Sequence, residues 1–176
     1  GLRALLLGDP YFHLGARFIA LVVSWFPLAH QVLTLSVLVH FVWTGCAVII
    51  AAVVTCESQH KWLGYFSGLL LVAAPHASES ALGNVGNLKW PMITALIVVC
   101  CSPTSIQRHP TLISVFAVLT GLTNPLTILC SIPLGLDVLR RRRFPRAQLM
   151  LTGMIVGTLA VQVAKVGIGS ATSGQS

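Results

Sequence analysis

The chain has 176 residues, the length of one ordinary domain, yet 55% of them are hydrophobic and only 9% are charged. A soluble domain carries about a quarter charged residues, so water is not the solvent for most of this surface. The net charge of +7 does not indicate nucleic acid: five of the eleven Lys and Arg side chains lie in RRRRFPR (140–146), beside an apolar run, where the positive-inside rule accounts for them.

The charges are grouped. No Asp, Glu, Lys or Arg occurs between Arg17 and Glu57, or within 62–78, 90–107, 109–136 and 147–164. A helix needs about 20 apolar residues to cross a bilayer, and backbone groups in lipid must be satisfied internally. Runs such as VIIAAVV (48–54) do not alternate as the strands of a membrane barrel would. The expectation is an all-α protein: a polytopic transmembrane helical bundle with short, broken or re-entrant helices, entered through an N-terminal interfacial helix, with a single domain over 1–165.

In chain order, Asp9-Pro10 reads as a helix start, and about 10–26 forms the amphipathic interfacial helix, ending at Pro27. The clearest span is about 28–55, with His40 expected to pack against a neighbouring helix. Shorter apolar helices follow at about 62–75 and 88–101, separated by the polar stretch PHASESALGNVGNLKW (75–90). SPTSIQRHP (102–110) reads as a turn-rich loop. The next apolar run is interrupted by Thr123-Asn124-Pro125, giving half-helices at about 111–122 and 125–139. These are too short to span and are tolerated only inside protein or beside a watery cavity. A last helix is expected at about 147–165, and the Gly/Ser-rich residues 166–176 as a disordered tail.

Placing 140–146 in the cytoplasm, with the chain turning back at Asn124-Pro125, puts 102–110 on the same side. It puts 75–90 and the N-terminal segment together outside. The first residue is Gly and no signal-peptide pattern precedes it, so the chain reads as a fragment or processed piece lacking upstream helices. The five cysteines form no CxxC pair and lie mostly in apolar runs, as small hydrophobes.

Two segments hold the candidate chemistry. In 75–90, Glu79 can act as a base, a ligand or a partner for Lys89. Asn84 and Asn87 share a helical face, Gly83 and Gly86 permit close approach, and Trp90 closes the segment. The bland alternative is a solvated loop that caps two helices. In the N-terminal segment, Asp9, Tyr11, His13 and Arg17 supply an acid, a phenol, an imidazole and a guanidinium suited to phosphate. Its alternative is an interfacial helix with a snorkelling Arg. A divalent cation is the one cofactor left open, with no metal ligand assigned, and membrane lipid is the expected partner.

Three stretches resemble a known group. PYFHLGARFIA (10–20) followed by FPLA (26–29) is similar to the "GYLHLxPRLxA … PLA" start of a group of large bacterial polytopic membrane proteins. SESALGNVGNLKWPM (78–92) resembles their "E-x-x-GN-x-x-N-x-HW" segment, and LTGLTNPLTILCSIPLGLDVLRRRR (119–143) their "LTGP … L-P … R" stretch. The match departs at Gly15, where the group has Pro, and at Lys89, where it has His. The group's architecture looks like that of GT-C glycosyltransferases. The resemblance therefore implies transfer of a sugar from a polyprenyl-phosphate donor on the outer face of a bacterial inner membrane. It implies that Asp9, or an acid upstream of this chain, or Glu79 acts as the carboxylate base. Arg17 would face the donor phosphate, and Glu79, Asn84 and Asn87 would line the same outer cavity; Tyr11, His13, Lys89 and Trp90 are the further candidate substrate-binding residues. The readings that compete with it are a transporter or flippase built around the broken helices, and a membrane scaffold without a substrate.

Overall fold

The computed structural model describes residues 14–73, 85–141 and 145–173, and those residues contain eight α-helices, two 3-10 turns and no strand. The chain is all-α. The elements are α1 (Leu14–Val23), α2 (Leu28–Ser58), α3 (Lys61–Ala73), the 3-10 turn η1 (Val85–Leu88) and α4 (Lys89–Cys100). They continue with α5 (Pro103–Arg108), α6 (Pro110–Thr123), the 3-10 turn η2 (Pro125–Cys130), α7 (Ser131–Arg141) and α8 (Arg146–Ser173).

Two of these helices, α2 and α8, are long and apolar enough to cross a membrane. A core helix of a soluble protein has the same composition but is mostly buried. Here only 28% of the most apolar stretch of α2 and 22% of that of α8 is buried within the chain. Val32, Val37, Phe41 and Val48 on α2, and Val156, Val161 and Val163 on α8, point outward. Large apolar side chains are also exposed along α3, where Trp62, Tyr65, Phe66, Leu69 and Leu70 form the outer face.

α2 and α3 make a tight antiparallel hairpin. Gln59, in the left-handed region at φ 61°, closes α2 by donating its N–H to the Thr55 carbonyl. The two helices then touch through small residues. A Cβ at Gly64 would overlap the Ala51 carbonyl and the Thr55 hydroxyl, and one at Gly68 would lie 2.8 Å from the Ala47 carbonyl oxygen. Two rows of small residues four apart thus let the backbones approach, the packing mode favoured where lipid removes the hydrophobic drive between helices.

The remaining helices surround one main core. Val53, Leu96, Val99, Ile106, Ile113, Ala117, Leu134, Leu151 and Ile155 meet there, joined by Cys100 and Cys130. A smaller cluster packs α1 onto α2 and η1 through Ile19, Val23, Val39, Trp43 and Leu88.

α6 and the following segment run in opposite directions. α6 starts next to α5, which follows Cys100 and Ser102 at the far end of α4. It ends at Thr123, whose hydroxyl accepts the N–H of Gly15 at 3.2 Å, at the α1 end of the bundle. Asn124 is extended, and Cys130 is back beside Cys100 in the main core. Asp137 then accepts the amide of Gln148 at 2.6 Å, where α8 begins. One end of the bundle therefore gathers 57–61, 101–110, 137–141 and 145–148, and the opposite end gathers α1, η1 and the close of α6.

Several local expectations are corrected. Residues 102–110 are not a plain loop: Ser102 accepts the N–H of Ser105 and Pro103 occupies the first helical position, so a cap and a pre-set φ start α5. The second half-helix is not one α-helix. Pro133 has no N–H for the Leu129 carbonyl, so the chain tightens to 3-10 over 125–130 and restarts at Ser131, with Pro133 in the first turn where its missing N–H is harmless. α8 continues to Ser173 instead of dissolving at 166, since each residue added to a formed helix adds a hydrogen bond. Among the described residues His40 bonds no neighbouring helix: it is exposed, and its Nδ1 lies 2.7 Å from the Ser36 carbonyl of its own helix.

Candidate functional site

The site grows from the contact between α1 and η1. Ile19 and Val23 are buried on one face of α1, while Phe18, Trp25 and Phe26 point outward. Leu88, fully buried, anchors η1 to the same cluster, and Trp43 of α2 lies beneath both. The start of α1 is held separately. The Gly15 N–H reaches the Thr123 hydroxyl, which in turn donates to the Leu119 carbonyl at 2.7 Å. A Cβ at Gly15 would lie 2.9 Å from that hydroxyl, and a proline there would have no N–H to give. Glycine at this position thus serves a bond that the proline of the resembling group could not make.

Arg17 follows two residues later on α1, half-buried. Asn87 is half-buried on η1, against which α1 packs. Lys89 opens α4, its ammonium 5.5 Å from the ring centre of the exposed Trp90. That is within range of a cation–π attraction, worth about 0.5–1 kcal/mol at exposed sites. Four of the expected site residues, Arg17, Asn87, Lys89 and Trp90, therefore come from adjoining elements at one end of the bundle. Asp9, Tyr11, His13, Glu79 and Asn84 lie outside the described residues. Among the described residues no group of three or more His, Cys, Asp or Glu could hold a metal ion.

No protein-family model, curated protein or solved structure matches this chain.

α1 packs on α6, whose break leaves two carbonyls that another helix takes up. In a continuous helix the Gly121 carbonyl would accept from residue 125 and the Leu122 carbonyl from residue 126. Pro125 has no N–H, and the N–H of Leu126 donates to Asn124 Oδ1 at 3.0 Å instead. Gln162 of α8 supplies what is missing: its Nε2 donates to the Gly121 carbonyl at 3.2 Å and to the Leu122 carbonyl at 3.0 Å. Thr158, one turn earlier on α8, packs directly onto Gly121, where any side chain would collide with it.

At the opposite end, Glu57 accepts the Ser102 hydroxyl, and Ser105 Oγ lies 2.8 Å from Ser102 Oγ. This ties the end of α2 to the turn between α4 and α5.

Gln148, Thr123, Gln162 and Trp43 escaped the sequence reading. Over residues 146–166 of α8 the buried positions are Gln148, Leu151, Ile155, Thr158 and Gln162. That alternation of three and four is a coiled-coil seam, and polar residues on it, inside an otherwise charge-free run, mark interhelical hydrogen bonds. Trp43 left no such signal, standing beside Phe41 in an apolar run whose buried side the sequence does not mark.

Proposed function

We propose that this chain is a multi-pass membrane protein, part of a GT-C-like glycosyltransferase, whose α1–η1 end receives the phosphate of a lipid-linked sugar donor. The observation that carries the reading is the packing of the element bearing Arg17 onto the element bearing Asn87, beside Lys89. A guanidinium, an amide and an ammonium at one end of an apolar bundle are the donors an anionic headgroup requires. Their end is opposite the arginine-rich one, so with the arginines in the cytoplasm of a bacterial inner membrane, the donor is met on the outer face.

The chemistry follows from those groups. A carboxylate, Asp9, Glu79 or an acid outside this chain, takes the proton of the acceptor hydroxyl as that oxygen attacks the sugar carbon. The bond to the lipid phosphate breaks, and Arg17 neutralises the charge that accumulates on it. α1, with Phe18, Trp25 and Phe26 outward, lies along the interface where the donor chain enters.

A transporter reading finds less support. It needs carbonyls at the broken helix to be open to a substrate, and those of Gly121 and Leu122 are occupied by Gln162.

The test is transfer in proteoliposomes. The full-length protein, supplied with radiolabelled polyprenyl-phosphate sugars, is expected to release sugar to an acceptor. Arg17→Ala should lower the rate by about 100-fold, the scale of losing one charge-stabilising donor. Absence of both donor binding and transfer across a panel of such lipids would sink the proposal.

A further inference from the structure

The arginine-rich end has a second surface that sugar transfer does not use. Among the described residues it holds Lys61, Arg108, Arg140, Arg141 and Arg146, five of the chain's eleven cations, against Glu57 and Asp137, two of its four acids. Both carboxylates already accept side-chain hydrogen bonds, from Ser102 and Gln148. Lys61, Arg108, Arg140 and Arg146 are all exposed.

α7 gives this charge an apolar neighbour. Its eleven residues span only about 16 Å, too short to cross a bilayer. Leu134 is fully buried in the core, but Ile132, Leu136 and Leu139, at spacings of four and three, are exposed on the other side at 56%, 61% and 75%. Arg140 follows directly. Across the 142–145 connection, Arg146 is exposed at the start of α8, with Leu149 and Met150 outward after it. An apolar stripe that runs into guanidinium groups matches one kind of molecule: an acyl chain joined to a phosphate.

We infer that the α7–α8 corner seats an anionic phospholipid of the adjoining leaflet, its acyl chain along Ile132, Leu136 and Leu139 and its phosphate on Arg140 and Arg146. The fork of a guanidinium holds two phosphate oxygens at once. The negative surface of a cytoplasmic leaflet attracts such clusters at roughly fivefold per cation. The inference rests on the membrane reading above and is independent of sugar transfer.

The experiment uses the full-length protein extracted in mild detergent, with lipid binding followed by native mass spectrometry and by thermal unfolding. Phosphatidylglycerol is expected to bind at least tenfold more tightly than phosphatidylcholine and to raise the unfolding temperature. The double variant Arg140→Gln/Arg146→Gln should lose most of that preference, and Arg140→Lys/Arg146→Lys, which keeps the charge without the fork, should fall between it and the parent. Equal binding of the two lipids, an undiminished preference in the glutamine variant, or the same stabilisation by inorganic phosphate would overturn the inference. Extraction of the protein from membranes by alkaline carbonate would overturn the membrane reading itself. A protein retained in the membrane without lipid preference would remove only the α7–α8 site.

Discussion

Gln162 shows how much one side chain settles here. It is almost fully buried and donates to the two carbonyls that Pro125 and the Asn124 cap leave open. Gln162→Leu keeps the volume and removes both bonds. Side-chain hydrogen bonds between membrane helices average about 0.6 kcal/mol, while a buried carbonyl left unsatisfied costs about 1–3 kcal/mol. The loss should therefore lie near 1–3 kcal/mol, read as unfolding in mixed detergent micelles. Trp43 makes the opposite case. Its indole N–H has no hydrogen-bond partner among the described residues, so Trp43→Phe should cost under about 1.5 kcal/mol. Trp43→Ala, which empties the space between α1, α2 and η1, should cost about 3–5 kcal/mol. Equal losses from the two substitutions would mean that the N–H is bonded. The seam on α8 marks Gln162 as an interhelical donor, but not its acceptors, since the carbonyls it serves lie some forty positions away; Trp43 carries no such mark.

Helix punctuation was the most legible feature. Pro27 and Asn124-Pro125 stop helices through missing N–H groups and steric limits that act locally, so sequence alone locates those breaks. Helix contacts are not local, and sequence spacing does not determine them. GYFSG (64–68) and GMIVG (153–157) carry the same spacing of glycines. Only the first meets another backbone: Gly64 and Gly68 lie on Ala47, Ala51 and Thr55, whereas Gly153 and Gly157 have nothing within 4 Å. The two pairs should respond in opposite senses. Gly64→Leu or Gly68→Leu must push α3 off α2, an overpacking loss of about 1–3 kcal/mol or more. Gly153→Ala should be neutral or stabilising by up to about 1 kcal/mol, because alanine is the better helix former and meets no neighbour. Thermal unfolding of the three variants in one detergent checks both signs together.

At the scale of the whole molecule, the question is which ends of helices share a side. Residues 110–141 contain enough chain for one crossing, and a straight crossing would leave Arg108 and Arg146 on opposite faces of the membrane. The observed path differs. Gln162 touches the chain at Gly121 and Leu122, and Gln148 touches it at Asp137. Those glutamines are fourteen residues apart on α8, or about 21 Å along its axis. The chain therefore travels that distance between Leu122 and Asp137, in the sense opposite to α8, and returns Arg140 to the end that holds Arg108. Single cysteines test this directly in a variant with Cys56 and Cys101 changed to serine. Lys61→Cys, Arg108→Cys and Arg146→Cys should react with an impermeant maleimide only when the cytoplasmic face is opened. Ser24→Cys, at the α1 end, should react in intact cells. Labelling of Arg108→Cys from the same side as Ser24→Cys would mean that 110–141 crosses once. The Gln162 bonds to Gly121 and Leu122 would then be incompatible with the membrane-embedded state, and α1 and η1 would share a side with Arg108.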